Sequence, residues 1–79
     1  MRINIAVNHI DDGYLVEEAD KFAEREAMLP YLIMSQSTLG GLREERPDDI
    51  IQLHDGMLEF ADYKILINND LRYGEVDIR

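Results

Sequence analysis

The side chains through which this chain could do chemistry are few. They are His9 and His54, Ser35 and Ser37, and the adjacent pairs Asp11-Asp12 and Asp48-Asp49. A Ser–His–acid hydrolase places its nucleophile on a sharp Gly-x-Ser-x-Gly turn, and neither serine has that setting. His54 precedes Asp55, but neighbours along a strand point to opposite faces and share no proton path. His54 therefore reads as an exposed residue flanking a turn. There is no cysteine, so a thiolate zinc site, a cysteine nucleophile and a disulfide framework are excluded. No His-x-x-x-His pair and no Asp-x-Asp-x-Asp-Gly loop occurs. The Asp pairs read as a helix cap and a solvated loop. Gly40-Gly41 lacks the following Lys-Ser/Thr of a phosphate loop and reads as a helix stop. The expectation is a protein that is not an enzyme and that has no catalytic, metal or cofactor-binding residue.

What remains is charge. The 79 residues carry a formal net charge of −9 at pH 7. Affinity for phosphates comes from Lys and Arg, so direct nucleic-acid binding is not expected, nor is an anionic membrane surface. Residues 11–26 hold seven acids against Lys21 and Arg25, and residues 44–62 hold seven against Arg46 alone. Gathered on one side, these two blocks would make a negative field able to steer a basic partner. The four tyrosines lack the basic companions of an RNA-binding sheet. No apolar run approaches the roughly 18 residues of a membrane span. The apolar stretch at the N-terminus is too short for a signal peptide. With the lack of cysteine this points to the cytoplasm.

The elements that must position those acids follow from periodicity. Ile3, Ile5 and Val7 alternate with polar or small residues, which predicts a first strand with one buried face. Asp11-Asp12-Gly13 breaks it and leads into a helix over about Tyr14 to Met28, with Asp11 or Asp12 capping its free amides. Leu15, Ala19, Phe22, Ala23 and Glu26 trace one face, and Leu29 and Ile33 extend the stripe, so that only Glu26 interrupts it. Glu17 and Lys21 stand in the favourable i,i+4 order. Pro30 interrupts the helix. Tyr31 to Leu39 restarts as a second helix, with a short strand over Tyr31–Met34 as the competing reading. Gly40-Gly41 ends that element, and Leu42 to Asp49 is the main loop.

Asp55-Gly56 suits a two-residue type I′ turn, which needs φ > 0 at both positions. The resulting hairpin sets Leu53 against Leu58 and Ile51 against Phe60, with Gln52 and Glu59 on the other face. A helix from Pro47 through Ala61 is the rival reading, and Gly56 at its middle argues against it. A bulge or corner near Ala61-Asp62 restores the apolar parity of Tyr63, Ile65 and Ile67. Asn68-Asn69-Asp70 is then a turn into a last strand over Leu71 to Val76 that pairs Ile67 with Leu71 and Ile65 with Tyr73. Gly74 marks a bulge or close approach, and Asp77-Ile78-Arg79 fray.

The expected fold is a small α+β domain spanning residues 1–79. It has an antiparallel sheet made of the N-terminal strand and a C-terminal meander. One main helix and a possible short second helix pack on one face. The expected function is that of a non-catalytic acidic binding protein that occludes a basic surface of a larger partner, such as a nucleic-acid-binding complex. Asp11, Asp12, Glu17, Glu18, Glu44, Glu45, Asp48 and Asp49 would make charge-assisted contacts to its Arg and Lys side chains. Small size, acidity and absence of catalytic motifs match the general profile of phage-encoded inhibitors of host defence, such as anti-CRISPR proteins and DNA mimics. No motif ties the chain to such a family. The alternative is a small structural or regulatory subunit that binds through apolar surface, with the cluster Leu29, Tyr31, Leu32, Ile33 and Met34 as a homodimer seam or partner groove.

Overall fold

Arg2–Asn4 form β1, Asp12–Glu26 α1, Tyr31–Met34 β2, Gln36–Glu45 α2, Ile50–Gln52 β3, Leu58–Phe60 β4, Tyr63–Ile67 β5 and Glu75–Ile78 β6. The computed structural model describes all 79 residues, Met1–Arg79. The six strands make one sheet in the order β1-β6-β2-β5-β4-β3. The α+β class read from the sequence is what the structure has. The sheet is mixed, because β2 runs parallel to β5 and every other pair is antiparallel.

Alternation along the strands sends Leu32, Met34, Phe60, Tyr63, Ile65, Val76 and Ile78 to one face, and all are buried. Leu15 and Ala19 of α1 and Leu39 and Leu42 of α2 complete that cluster, so both helices cover the same face. Ile5 and Ile10 close its end. There the chain leaves β1, and Asp11 donates its amide to the Ile5 carbonyl at 2.7 Å. Val7, expected on the buried face, is 85% exposed because the strand has already ended.

α1 starts where the acids predicted. The Asp11 carboxylate accepts the Tyr14 amide at 3.0 Å, and Asp12 follows in the first turn, where the helix dipole favours an acid. The helix ends at Ala27, which takes a left-handed φ of 53°. Leu29 and Ile33 therefore do not extend its stripe. Tyr31–Met34 is the strand, not the start of a helix, and it pairs with β5 on one side and β6 on the other. The second helix begins later, at Gln36, with Ser35 as its cap. Gly40 and Gly41 lie inside it, and Leu42 to Glu45 are helical rather than loop. Gly41 has a packing reason: a Cβ there would lie 2.8 Å from the buried Ile10 side chain and 2.6 Å from the Tyr73 hydroxyl.

The Asp55-Gly56 hairpin exists, but its register is one residue from the expected one. Ile50 pairs with Phe60, Ile51 with Glu59 and Gln52 with Leu58. The loop has three residues, His54 to Gly56, closed by Leu53 donating to the Met57 carbonyl at 2.8 Å, with Gly56 at φ 86°. A type I turn followed by a left-handed glycine bulge has this pattern. The extra residue moves Ile51 to the side opposite Phe60 and leaves it 54% exposed. The two-residue turn with φ > 0 at both positions falls instead at Ala61-Asp62, with φ of 53° and 72°, joining Phe60 to Tyr63.

The expected β5–β6 hairpin does not form, because β2 lies between the two strands. The connecting segment arches over the end of β2. Asn68 donates to the Met34 carbonyl at 2.9 Å, the Asn69 side chain accepts the Gln36 amide at 2.8 Å, and Gly74 donates to the Thr38 hydroxyl at 2.9 Å. Gly74 is the close approach expected. Its φ is 87°, and a Cβ there would meet Ala6 at 2.5 Å. The last residues do not fray. Asp77 and Ile78 are buried members of β6, which sits between β1 and β2.

Candidate functional site

The acidic blocks meet in a cleft of about 420 Å³ between the start of α1, the α2–β3 connection and the β4–β5 turn. Asp12, Asp48, Asp49 and Asp62 line it, Val16 and Phe60 supply apolar wall, and Ile51 on the edge strand reaches its rim. Each position has a local origin. Asp12 is held by the first turn of α1. Asp48 and Asp49 sit in a turn tied by Asp49 donating to the Arg46 carbonyl at 3.2 Å. Asp62 is carried in by the Ala61-Asp62 turn. One cation enters: Arg46 Nε donates to Asp12 Oδ2 at 2.8 Å. That hydrogen bond first, and then the attraction of Asp12, Asp49 and Glu45, raises the Arg46 guanidinium pKa further.

The eight acids expected to bind a partner divide by what already engages them. Asp11 is the α1 cap, and Asp12 is bound to Arg46. Glu17 and Glu18 both reach Lys21, at 3.1 and 3.4 Å. Glu44, Glu45, Asp48 and Asp49 are exposed and make no ion pair. The cleft thus brings together Asp12, Asp48 and Asp49. Glu17 and Glu18 lie along α1 and do not line it. Asp62 and Arg46 are cleft residues that sequence reasoning left out. The change of apolar parity after Phe60 did place a bulge or corner near Ala61-Asp62, where the structure has the β4–β5 turn, but nothing in the sequence tied that corner to Asp12.

Glu44 and Glu45 occupy the last turn of α2, where the helix dipole disfavours acids. Local stability does not select them there.

No group of three or more His, Cys, Asp or Glu side chains is spaced to hold a metal ion. His9 and His54 are exposed, and neither hydrogen-bonds a carboxylate. Ser35 and Ser37 hydrogen-bond each other at 2.9 Å at the start of α2, with Thr38 as the third hydroxyl. No helix is long and apolar enough to cross a membrane. Comparison with known protein families, curated proteins and solved structures gives no match.

Proposed function

We propose that this is a non-catalytic acidic binding protein that docks its cleft side on the basic surface of a larger partner and occludes it. A nucleic-acid channel is the partner surface whose chemistry fits best, because such channels are lined with Arg and Lys arranged to hold phosphates. The observation that carries the reading is the set Glu44, Glu45, Asp48 and Asp49. These carboxylates are exposed and free of ion pairs, and Asp48 and Asp49 line a cleft that already holds one arginine against Asp12. An incoming arginine could take the same kind of contact with Asp48, Asp49 or Asp62. Asp11, Glu17 and Glu18 add to the field at longer range while serving the helix.

The test is affinity capture from a cell lysate with mass spectrometry, using the native chain and a variant with Glu44, Glu45, Asp48 and Asp49 all changed to Lys. The reading expects the captured partners to be basic, to be released by salt over the range in which the Debye length shrinks to a few ångströms, and to be absent from the variant. Retention of every partner by a folded variant defeats it.

A further inference from the structure

Both helices cover one side of the sheet, so the other side has no layer of its own. Strand register orders its side chains in two rows. One runs Ile51, Glu59, Lys64, Tyr31 across β3, β4, β5 and β2. The next runs Leu66, Ile33, Asp77, Arg2 across β5, β2, β6 and β1. Tyr31 and Leu66 are 42% and 37% exposed. Glu59 and Lys64 oppose each other in mid-row, yet neither is in an ion pair. Beside Tyr31 lies a hollow of about 390 Å³ lined by Met28, Leu29 and Pro30, with Glu59, Asp62 and Lys64 also on its wall.

We propose that a second copy of this chain packs face to face on this open side, about a two-fold axis that runs along the strands between β4 and β5. An isologous interface must be complementary to itself, and the first row has that property. From its midpoint, one direction meets an acid and then an apolar knob, Glu59 and Ile51. The other meets a base, Lys64, and then the hollow beside Tyr31, with Met28, Leu29 and Pro30 as its apolar part. The two-fold operation sets Glu59 of each copy against Lys64 of the other and Ile51 of each against the Tyr31 hollow of the other. Twisted sheets pack in this aligned way, with strand directions about 30° apart.

Charge permits the arrangement although each copy is strongly negative. The open side carries Arg2, Lys64, Arg79 and the amino terminus beside Glu59, Glu75, Asp77 and, at the hollow, Asp62, so it is close to neutral, and Asp77 is already paired with both Arg79 and the amino terminus. Packed sheets lie about 10 Å apart. The helix layers would then be about 30 Å apart, well beyond the ~8 Å Debye length at physiological salt. About this axis four strands face four, and β6 and β1 overhang, so the shared face is about 19 Å wide. The pair buries less than the ~1,000 Å² at which specific interfaces begin, the range of weak, transient contacts. The expected dimer is therefore concentration-dependent. Ile51 and Asp62 border both surfaces, but the dimer uses none of Glu44, Glu45, Asp48 and Asp49, so either idea can fail alone.

Sedimentation equilibrium of the whole chain from about 10 μM to about 1 mM, the range suited to so small an interface, tests it. A dimer is expected to grow in with concentration and to persist in high salt, where apolar burial holds and repulsion is screened. Glu59→Lys and Lys64→Glu should each weaken it by about tenfold or more, and the two together should restore it. The reversals sit on an uncovered face, and melting curves verify that each variant folds. The Lys variants at Glu44, Glu45, Asp48 and Asp49 should leave it intact. A monomer at every concentration overturns the proposal. So does a dimer indifferent to the single reversals, or one that the double exchange fails to restore.

Discussion

Leu32 and Ile33 are neighbours in β2 with similar side chains. Leu32 faces the helices and is fully buried. Ile33 faces the side without helices and is only half-buried. The same contrast runs through the molecule. One side of the sheet is sealed by α1 and α2, and at its edge Asp12 of α1 meets Asp48, Asp49 and Asp62 of two connections in a cleft. The other shows alternate residues of the same strands, apolar side chains among charges of both signs. A two-residue period thus gives one short chain an electrostatic surface and an apolar one, without a separate element for each.

The sharpest way to break that contrast is to truncate the two neighbours. Leu32→Ala should cost about 2–5 kcal/mol of stability, the range for emptying a packed core site. Ile33→Ala should cost the isolated chain about 1 kcal/mol, since less area leaves water. Denaturant melts at low protein concentration measure both, and equal costs would mean that the open side is not open.

The adjacent glycines of α2 make the same comparison on a helix. Gly41→Ala drives a methyl against buried Ile10, and overpacking of this kind costs about 1–3 kcal/mol. The Gly40 position has no heavy atom within 4 Å, so Gly40→Ala should stabilise by about 1 kcal/mol through helix propensity alone. Thermal melts of the two variants should move in opposite directions.

The two sides should also fail at opposite ends of the pH scale. Tyr63, on the covered side, donates its hydroxyl to Asp20, and its pKa rises from 10.0 to about 12, through burial first and then the hydrogen bond. A raised folded value gives stability that is complete below about pH 10 and is lost as pH climbs toward about 12. Asp77, on the open side, is pushed up by burial. Hydrogen bonds from Arg79 and the amino terminus outweigh that and hold it below the ordinary carboxylate range. A lowered folded value gives stability that is complete above about pH 4 and is lost as pH falls through the folded value. Tyr63→Phe should flatten the alkaline limb of stability against pH, and Asp77→Asn the acid limb, each leaving the other limb in place. This is the smallest effect of the three, and melts across pH measure it.

What could be read ahead of the structure was local. Asp11 as a helix cap, Gly74 as a close approach and a hairpin around Asp55-Gly56 each depend on a few adjacent residues. The errors came where a distant segment decided the outcome. Asn68-Asn69-Asp70 is a good hairpin turn, but β2 takes the place beside β5 that β6 would have filled. Gly40-Gly41 looks like a stop, but the approach of Ile10 and Tyr73 makes a glycine useful inside the helix. The hairpin slipped by one residue because a three-residue bulged loop also satisfies Asp-Gly, and the core accepted Ile50 rather than Ile51 beside Phe60. Of the cleft, the acids at Asp12, Asp48 and Asp49 were legible as charge. Their meeting with Asp62 and Arg46 was not.

By itself the sequence determined the α+β class, the acid excess and the cap that starts α1, because alternation, composition and capping act over a few residues. The tertiary structure alone decided which strands became neighbours, that two acidic segments share a cleft, and that one face of the sheet stays bare. Those outcomes depend on which of several nearly equivalent pairings buries the most apolar surface at once, and that competition is settled across the whole chain.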